Sequence, residues 1–179
     1  MLFRSAHSVH VELNGNDLLC VHNFKYLGVV IDDELKWTDH IMHVYKKLLK
    51  FTGIFYKLRD KLPPAVLKNM YYAFVHSHVL YAVEIYANTC PTYLDKLVKL
   101  NNKILRIIQN KPFRSHVADL YIQYKTLPIP LLHEQQLLLF VYKVLNCPYV
   151  LPEVFTGYFD FNNILDSHNT RSSKKYTGG

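Results

Sequence analysis

The spacing of apolar positions changes near residue 32. Val9, Val11 and Leu13 alternate with His10 and Glu12, the period of two that a half-buried strand shows. Asn14-Gly15-Asn16-Asp17 marks a turn, because Asn and Gly tolerate positive φ, and Leu18-Leu19-Cys20-Val21 returns antiparallel. Phe24 to Ile31, rich in aromatic and β-branched residues, predicts a third strand segment. Residues 8–31 therefore read as a small sheet, compatible with the edge of a larger one.

Beyond residue 37 the period becomes helical. Ile41, Val44, Leu48, Phe51, Phe55, Leu58 and Leu62 keep the 3–4 spacing of one apolar face. Thr38 is placed to cap this helix, with Asp39 in its first turn and Trp37 stapled onto Met42. Pro63-Pro64 stops it, and Pro64 starts a second helix that carries Leu67, Tyr71, Phe74 and Val75 and continues towards Ile85. A third runs from Cys90-Pro91 to about Gln109, with Leu94, Leu97, Val98, Ile104, Leu105 and Ile108 inward and Pro112 ending it. A short helix over 117–124 and another over 131–145 follow. Past Tyr158 the apolar period fades into Asn, Ser and Thr, which predicts a frayed tail over 159–179. The fold class expected is α+β and mostly α: a small antiparallel β segment followed by a helical bundle.

Composition narrows the function classes. Half of the 179 residues are hydrophobic and 20% are charged, enough to build a core and to argue against global disorder. Only Gly15, Gly28 and Gly53 precede residue 150, and no GxGxxG or GxxxxGK loop can be drawn through them. Cys20, Cys90 and Cys147 form no CxxC pair and no disulfide framework, which favours a reduced setting. No charged-then-apolar leader opens the chain, so an intracellular location, cytoplasm or nucleus, is expected. The most apolar stretches are interrupted by charge, so no membrane partner is expected.

The net charge of +7 is unevenly spread. Residues 46–114 hold thirteen Lys/Arg against Asp60, Glu84 and Asp95, a local balance of +10. On the first helix Lys46, Lys50, Lys57 and Lys61 fall within roughly 60° of one another, opposite the core face, with Gly53 in the same stripe. On the third, Lys96, Lys99, Lys103 and Arg106 share an arc of roughly 80°. With Tyr45 and Tyr56 nearby, these stripes suit a groove that tracks a phosphate backbone; a solvated lysine face is the competing reading. Leu100 and Ile107 border the second arc as half-exposed apolar residues, suited to a nucleic-acid minor groove or to a missing part of a larger protein.

Other clusters read as structural. Asp32-Asp33-Glu34 is a polar turn rather than a metal site, since no third carboxylate completes it. His40 and His43 read as a surface pair, His76 and His78 point apart, and Cys90 beside Pro91 reads as a cap or a buried thiol.

Phe24-Lys25-Tyr26-Leu27-Gly28-Val29-Val30-Ile31-Asp32, then Leu35-Lys36-Trp37 and His40-Ile41, resemble the C-terminal part of the reverse transcriptases of LINE-type (non-LTR) retrotransposons, close to the Jockey-like group. The resemblance continues through Leu62-Pro63, Tyr71-Tyr72, Tyr93-Leu94-Asp95-Lys96-Leu97 and Arg106-Ile107-Ile108, and closes at Ser167-His168-Asn169-Thr170-Arg171-Ser172. It implies a palm edge over 1–36, a thumb-like helical region over 37–112, and further helices over 113–158. It also implies that residues 24–28 form a primer-grip hairpin, in which Lys25 and Tyr26 meet the primer end.

The departure from that family is the missing catalytic centre. Its Tyr-x-Asp-Asp hairpin and earlier carboxylate are not in this chain, and Asp32-Asp33 follow the primer grip, where the family has no catalytic acid. The expectation is a region that is not an enzyme on its own and takes no cofactor, Mg²⁺ being needed only by an intact RNA-directed DNA polymerase. Its expected partners are an RNA/DNA template–primer duplex and the absent palm and fingers. The rival expectations are a helical protein-interaction module, a retroelement relic without function, and a free-standing nuclease using Asp32 and Asp33.

Overall fold

The computed structural model describes residues 12–17, 21–147 and 152. The expected strand residues 9–11 and 18–20, the tail and the closing motif lie outside them. Two short antiparallel ladders precede the helices. β1 (Glu12–Leu13) pairs with β2 (Asn16–Asp17) across Asn14-Gly15, both of positive φ. β3 (Asn23–Tyr26) pairs with β4 (Val29–Asp32), Tyr26 opposite Val29. The segment read as one strand over 24–31 is thus a hairpin, as the family resemblance implied. Its two-residue turn, Leu27 (φ 45°) and Gly28 (φ 86°), places both central residues in the left-handed region that a tight hairpin requires.

The helices are α1 (Thr38–Leu58), α2 (Pro64–Tyr71), α3 (Ser77–Leu80), α4 (Val83–Tyr86), α5 (Pro91–Ile108), α6 (Ala118–Tyr124) and α7 (Ile129–Asn146). α1 packs along α5, α2 and α6 also meet α5, α3 meets α1, and α7 packs against α4. Ile41, Val44, Leu48 and Phe55 of α1 interlock with Leu97, Leu100, Ile104, Leu105 and Ile108 of α5 in one buried cluster. The mostly helical α+β class and the core face of α1 are as the periodicity predicts.

The start of α1 differs in detail. Its cap position is Trp37, in the left-handed conformation, and Thr38 is the first helical residue. That moves the expected cap and the Trp37–Met42 staple out of register. Asp32 replaces them: its carboxylate accepts the Lys36 N–H at 2.9 Å and the Trp37 N–H at 2.8 Å, clamping the end of β4 to the entry of α1. Burial alone would raise the Asp32 pKa, but these backbone donors outweigh it and hold the carboxyl below its ordinary value.

The expected continuous helix from Pro64 to Ile85 is interrupted twice. Leu67, Tyr71, Val75 and Val79 recur every four residues and are all buried. In a 3.6-residue helix such spacing drifts by about 40° per step. A π-helical turn over Tyr72–His76, joining α2 to α3, widens the coil and absorbs the drift. Phe74, expected inward, is consequently 45% exposed, though its ring stacks on Phe51. Tyr81 then turns extended and Ala82 left-handed, which breaks the helix and sends the Tyr81 hydroxyl to the Leu27 carbonyl at the hairpin tip. The Tyr81 ring lies 3.5 Å from where a Cβ on Gly28 would stand.

α5 stops before Pro112 can act. Asn110, at φ 50°, forms a Schellman closure in which Lys111 N–H reaches Arg106 O and Asn110 N–H reaches Ile107 O. A buried polar chain binds three helices: Tyr71 donates to Asn101, Asn101 donates to Tyr121, and Tyr121 donates to Asn102. Burial pushes the Tyr71 hydroxyl up and that of Tyr121 to about 12, so both stay protonated donors.

Candidate nucleic-acid interface

The α1–α5 seam carries the chemistry. Aligned helices leave a furrow where their flanks meet, and here three depressions follow one another along it. The first is lined by Thr38, Ile41, Met42, Tyr45, Tyr93 and Lys96. The second, of about 470 Å³, is lined by Tyr45, Leu49, Lys96, Lys99, Leu100 and Lys103. The third, of about 450 Å³, includes Gly53, Tyr56, Lys57, Arg59, Lys103, Arg106, Lys111 and Phe113. Shared residues make these one groove, roughly 30 Å long at the helical rise of α1. Among the described residues, no Asp or Glu lines any of the three.

α5 supplies one wall of this groove. Lys96, Lys99, Lys103 and Arg106 project along it because they lie opposite the face that buries Leu97, Ile104 and Ile108. Two of the four are also engaged within the chain. Lys99 pairs with Asp95 at 2.6 Å in an exposed i,i+4 bridge of small energetic worth. Arg106 donates to the Ser115 carbonyl at 3.1 Å and lies over the Phe113 ring, which holds the 112–116 loop against the groove. Leu100, expected half-exposed, is buried at 5% and forms floor rather than rim, while Ile107 is half-buried beside it.

The α1 stripe is placed differently. Lys57 reaches the groove, and Lys46, Lys50 and Lys61 are exposed but line none of the three depressions. Lys46 and Lys50 sit roughly 100° round α1 from Tyr45, Leu49 and Tyr56, and Lys61, expected on this helix, lies past its end at Leu58, so the two stripes do not face each other across one channel. Instead the hairpin joins the α1 stripe. Lys25 and Tyr26 are exposed on β3, and Lys25 lies close enough to His43 to disfavour its protonation, after burial and Lys47 and ahead of His78 and Lys46. Lys25, Lys46 and Lys47 therefore form a second basic patch at the start of α1.

The histidines depart from the surface pair expected. His40 is buried at 2%, and its Nδ1 accepts the Val30 N–H at 3.2 Å, which pins β4 to α1. Burial, reinforced by His43 and Lys47, lowers its pKa to about 4, so the ring is neutral and structural. Cys90 occupies the cap position of α5 as expected of a cap, but its thiol is exposed rather than buried. Asp32 is committed to its clamp, Asp33 faces His22 at 3.1 Å, and Glu34 pairs with Lys36. Among the described residues, no group of three or more His, Cys, Asp or Glu side chains is placed to hold a metal ion.

Sequence reasoning missed Arg59, Lys111 and Phe113. Arg59 and Lys111 follow helix ends, where periodicity gives no direction, and Phe113 reads as ordinary loop until Arg106 is seen beneath it. A short i,i+7 link from Arg106 to Phe113 around Pro112 is the only sequence signal that points to it.

No family model and no solved structure matches the chain. Two curated proteins do. It is 29% identical over 118 residues to the RNA-directed DNA polymerase from mobile element jockey of Drosophila funebris, covering 64% of this chain and 13% of that protein. It is 25% identical over 114 residues to the corresponding polymerase of Drosophila melanogaster, covering 62% of this chain and 12% of that one. The matched part is thus about an eighth of each relative's length. The chain is thus similar, over 62–64% of its length, to part of two RNA-directed DNA polymerases from the mobile element jockey.

Proposed function

We propose that this region is the palm end and thumb of a retroelement RNA-directed DNA polymerase and that it grips the template–primer duplex by its backbone. The observation that carries the reading is the α1–α5 groove, about 30 Å long, walled by α5 cations and, among the described residues, free of lining carboxylates. Lys96, Lys99 and Lys103 hold one strand by phosphate contact, with Lys57 and Lys111 extending the path. Lys25 and Tyr26, on the hairpin clamped by Asp32, His40 and Tyr81, approach the primer end beside Lys46 and Lys47. Lys50 and Lys61 add to the field without lining the groove. In this reading the polymerisation chemistry falls to carboxylates other than Asp32, whose two oxygens accept the Lys36 and Trp37 N–H groups.

Charge reversal tests this. Lys96→Glu with Lys103→Glu weakens binding of an RNA–DNA hybrid equally on unrelated sequences and flattens the salt slope by about two. Sequence-selective loss, or none, removes the groove from the account.

One observation favours docking against another protein surface as well. Leu131, Leu138, Leu139, Tyr142 and Leu145 leave an apolar ridge exposed on α7. In a parent as long as the matched relatives, roughly five times this chain, the remaining polymerase is the natural cover for it. The ridge lies on another helix from the basic groove, so the two readings are compatible.

A further inference from the structure

The third depression shares Lys103, Arg106 and Phe113 with the second and adds Tyr56, Lys57, Arg59 and Lys111. Its two aromatic rings are large and open to solvent, Tyr56 at 59% and Phe113 at 77% exposure. Each has a guanidinium over it, Arg59 at 4.3 Å from the Tyr56 centroid and Arg106 at 5.7 Å from that of Phe113. Scattered exposed aromatics need no explanation, but two lining one cleft with cations on its rims make a stacking platform. Gly53 lines the same cleft. A Cβ there would meet nothing within 4 Å, so internal packing does not require the glycine, which weakens the middle of a 21-residue helix. What its missing side chain provides is room in the cleft.

We propose that this slot takes an unpaired nucleobase from a single-stranded stretch of nucleic acid, stacked on Tyr56 or Phe113, with the flanking phosphates on Lys57, Lys103 and Lys111. The inference rests on the backbone-gripping reading of the groove and adds a selectivity to it. Bases inside a duplex present their faces to each other, whereas an overhang or a single strand offers a free face to a ring. The groove therefore discriminates a duplex that ends in a single strand from a blunt one. Charge complementarity selects this occupant over an apolar helix, since among the described residues five cations and no carboxylate line the cleft.

The test uses the full chain and two RNA–DNA hybrids of equal phosphate count, one blunt and one with a single-stranded overhang carrying 2-aminopurine. The overhang hybrid is expected to bind about 5- to 30-fold more tightly, with its fluorescence quenched on binding. Tyr56→Leu with Phe113→Leu should bring the two affinities within about twofold, because stacking is the term removed, and the ratio of overhang to blunt affinity is the readout. Gly53→Ala, which adds a methyl group to the cleft wall and favours the helix, should reduce the overhang preference in a protein that is folded at least as well. Equal wild-type affinities, or a preference retained by the double variant, overturn the slot and leave the groove standing. Displacement of the overhang by a poly-glutamate peptide at equal charge also overturns it, in favour of a protein occupant. Failure of both hybrids to bind at low salt overturns the slot together with the groove.

Discussion

Mild acid should destabilise this protein through His40. The ring is 2% exposed, and its Nδ1 accepts the Val30 N–H, an arrangement open only to neutral imidazole. Its pKa in the fold is about 4, against 6.5 when unfolded. Because the folded value is the lower, the unfolded chain binds the extra proton between these limits. Stability is therefore full above about pH 6.5 and is lost as pH falls towards 4. The slope approaches about 1.4 kcal/mol per pH unit, which removes about 2 kcal/mol by pH 5 and about 3 kcal/mol by pH 4. That is a large share of a typical domain's stability. Urea unfolding followed by Trp37, the single tryptophan, measures it at pH 7, 6 and 5. His40→Asn retains an acceptor near Nδ1 without a titration, and its stability should vary less steeply over this range. Burial lowers His43, His76 and His78 too, but they remain in both proteins, so the difference between the slopes isolates His40. Identical slopes would refute a buried neutral His40.

Two substitutions examine how the hairpin meets α1. Asp32→Ala strips the acceptor from two backbone N–H groups and should cost about 1–3 kcal/mol at pH 7 in urea unfolding. Since the Asp32 pKa is depressed, that deficit is expected above the ordinary carboxylate range and should shrink as acid protonates the wild type. Leu27→Asn should raise stability by up to about 1 kcal/mol in the same measurement, because Leu27 sits at φ 45° in a turn that favours Asn-Gly and its side chain is largely exposed.

How far the sequence could be read follows from what each residue's surroundings contribute. Spacing located α1, α5, α6 and α7, because each buries one continuous stripe on a partner helix. It failed at 64–86, where the fourfold recurrence of Leu67, Tyr71, Val75 and Val79 conceals a π turn and the hairpin draws Tyr81 out of the helix. The same holds at the interface. The α5 stripe is a groove wall because the core face opposite it fixes its direction. The α1 stripe fits a helical wheel equally well, yet the groove opens on a flank that depends on where α5 lies, so only Lys57 reaches it. Arg59, Lys111 and Phe113 enter through loop geometry, which carries no period. His40 was misread because a histidine three residues from another on a polar-looking turn gives no sign that Val30 will cover it.

The central claim, a phosphate-tracking groove on α1 and α5, is tested most directly by the salt dependence of RNA–DNA hybrid binding. With about five phosphate contacts, log K should fall with log salt at a slope of about −4 to −5. Affinity should then drop by a factor on the order of 10²–10³ between about 50 and 200 mM salt. A folded protein whose affinity changes less than about threefold over that range, or that does not bind at the lower salt, would contradict the account.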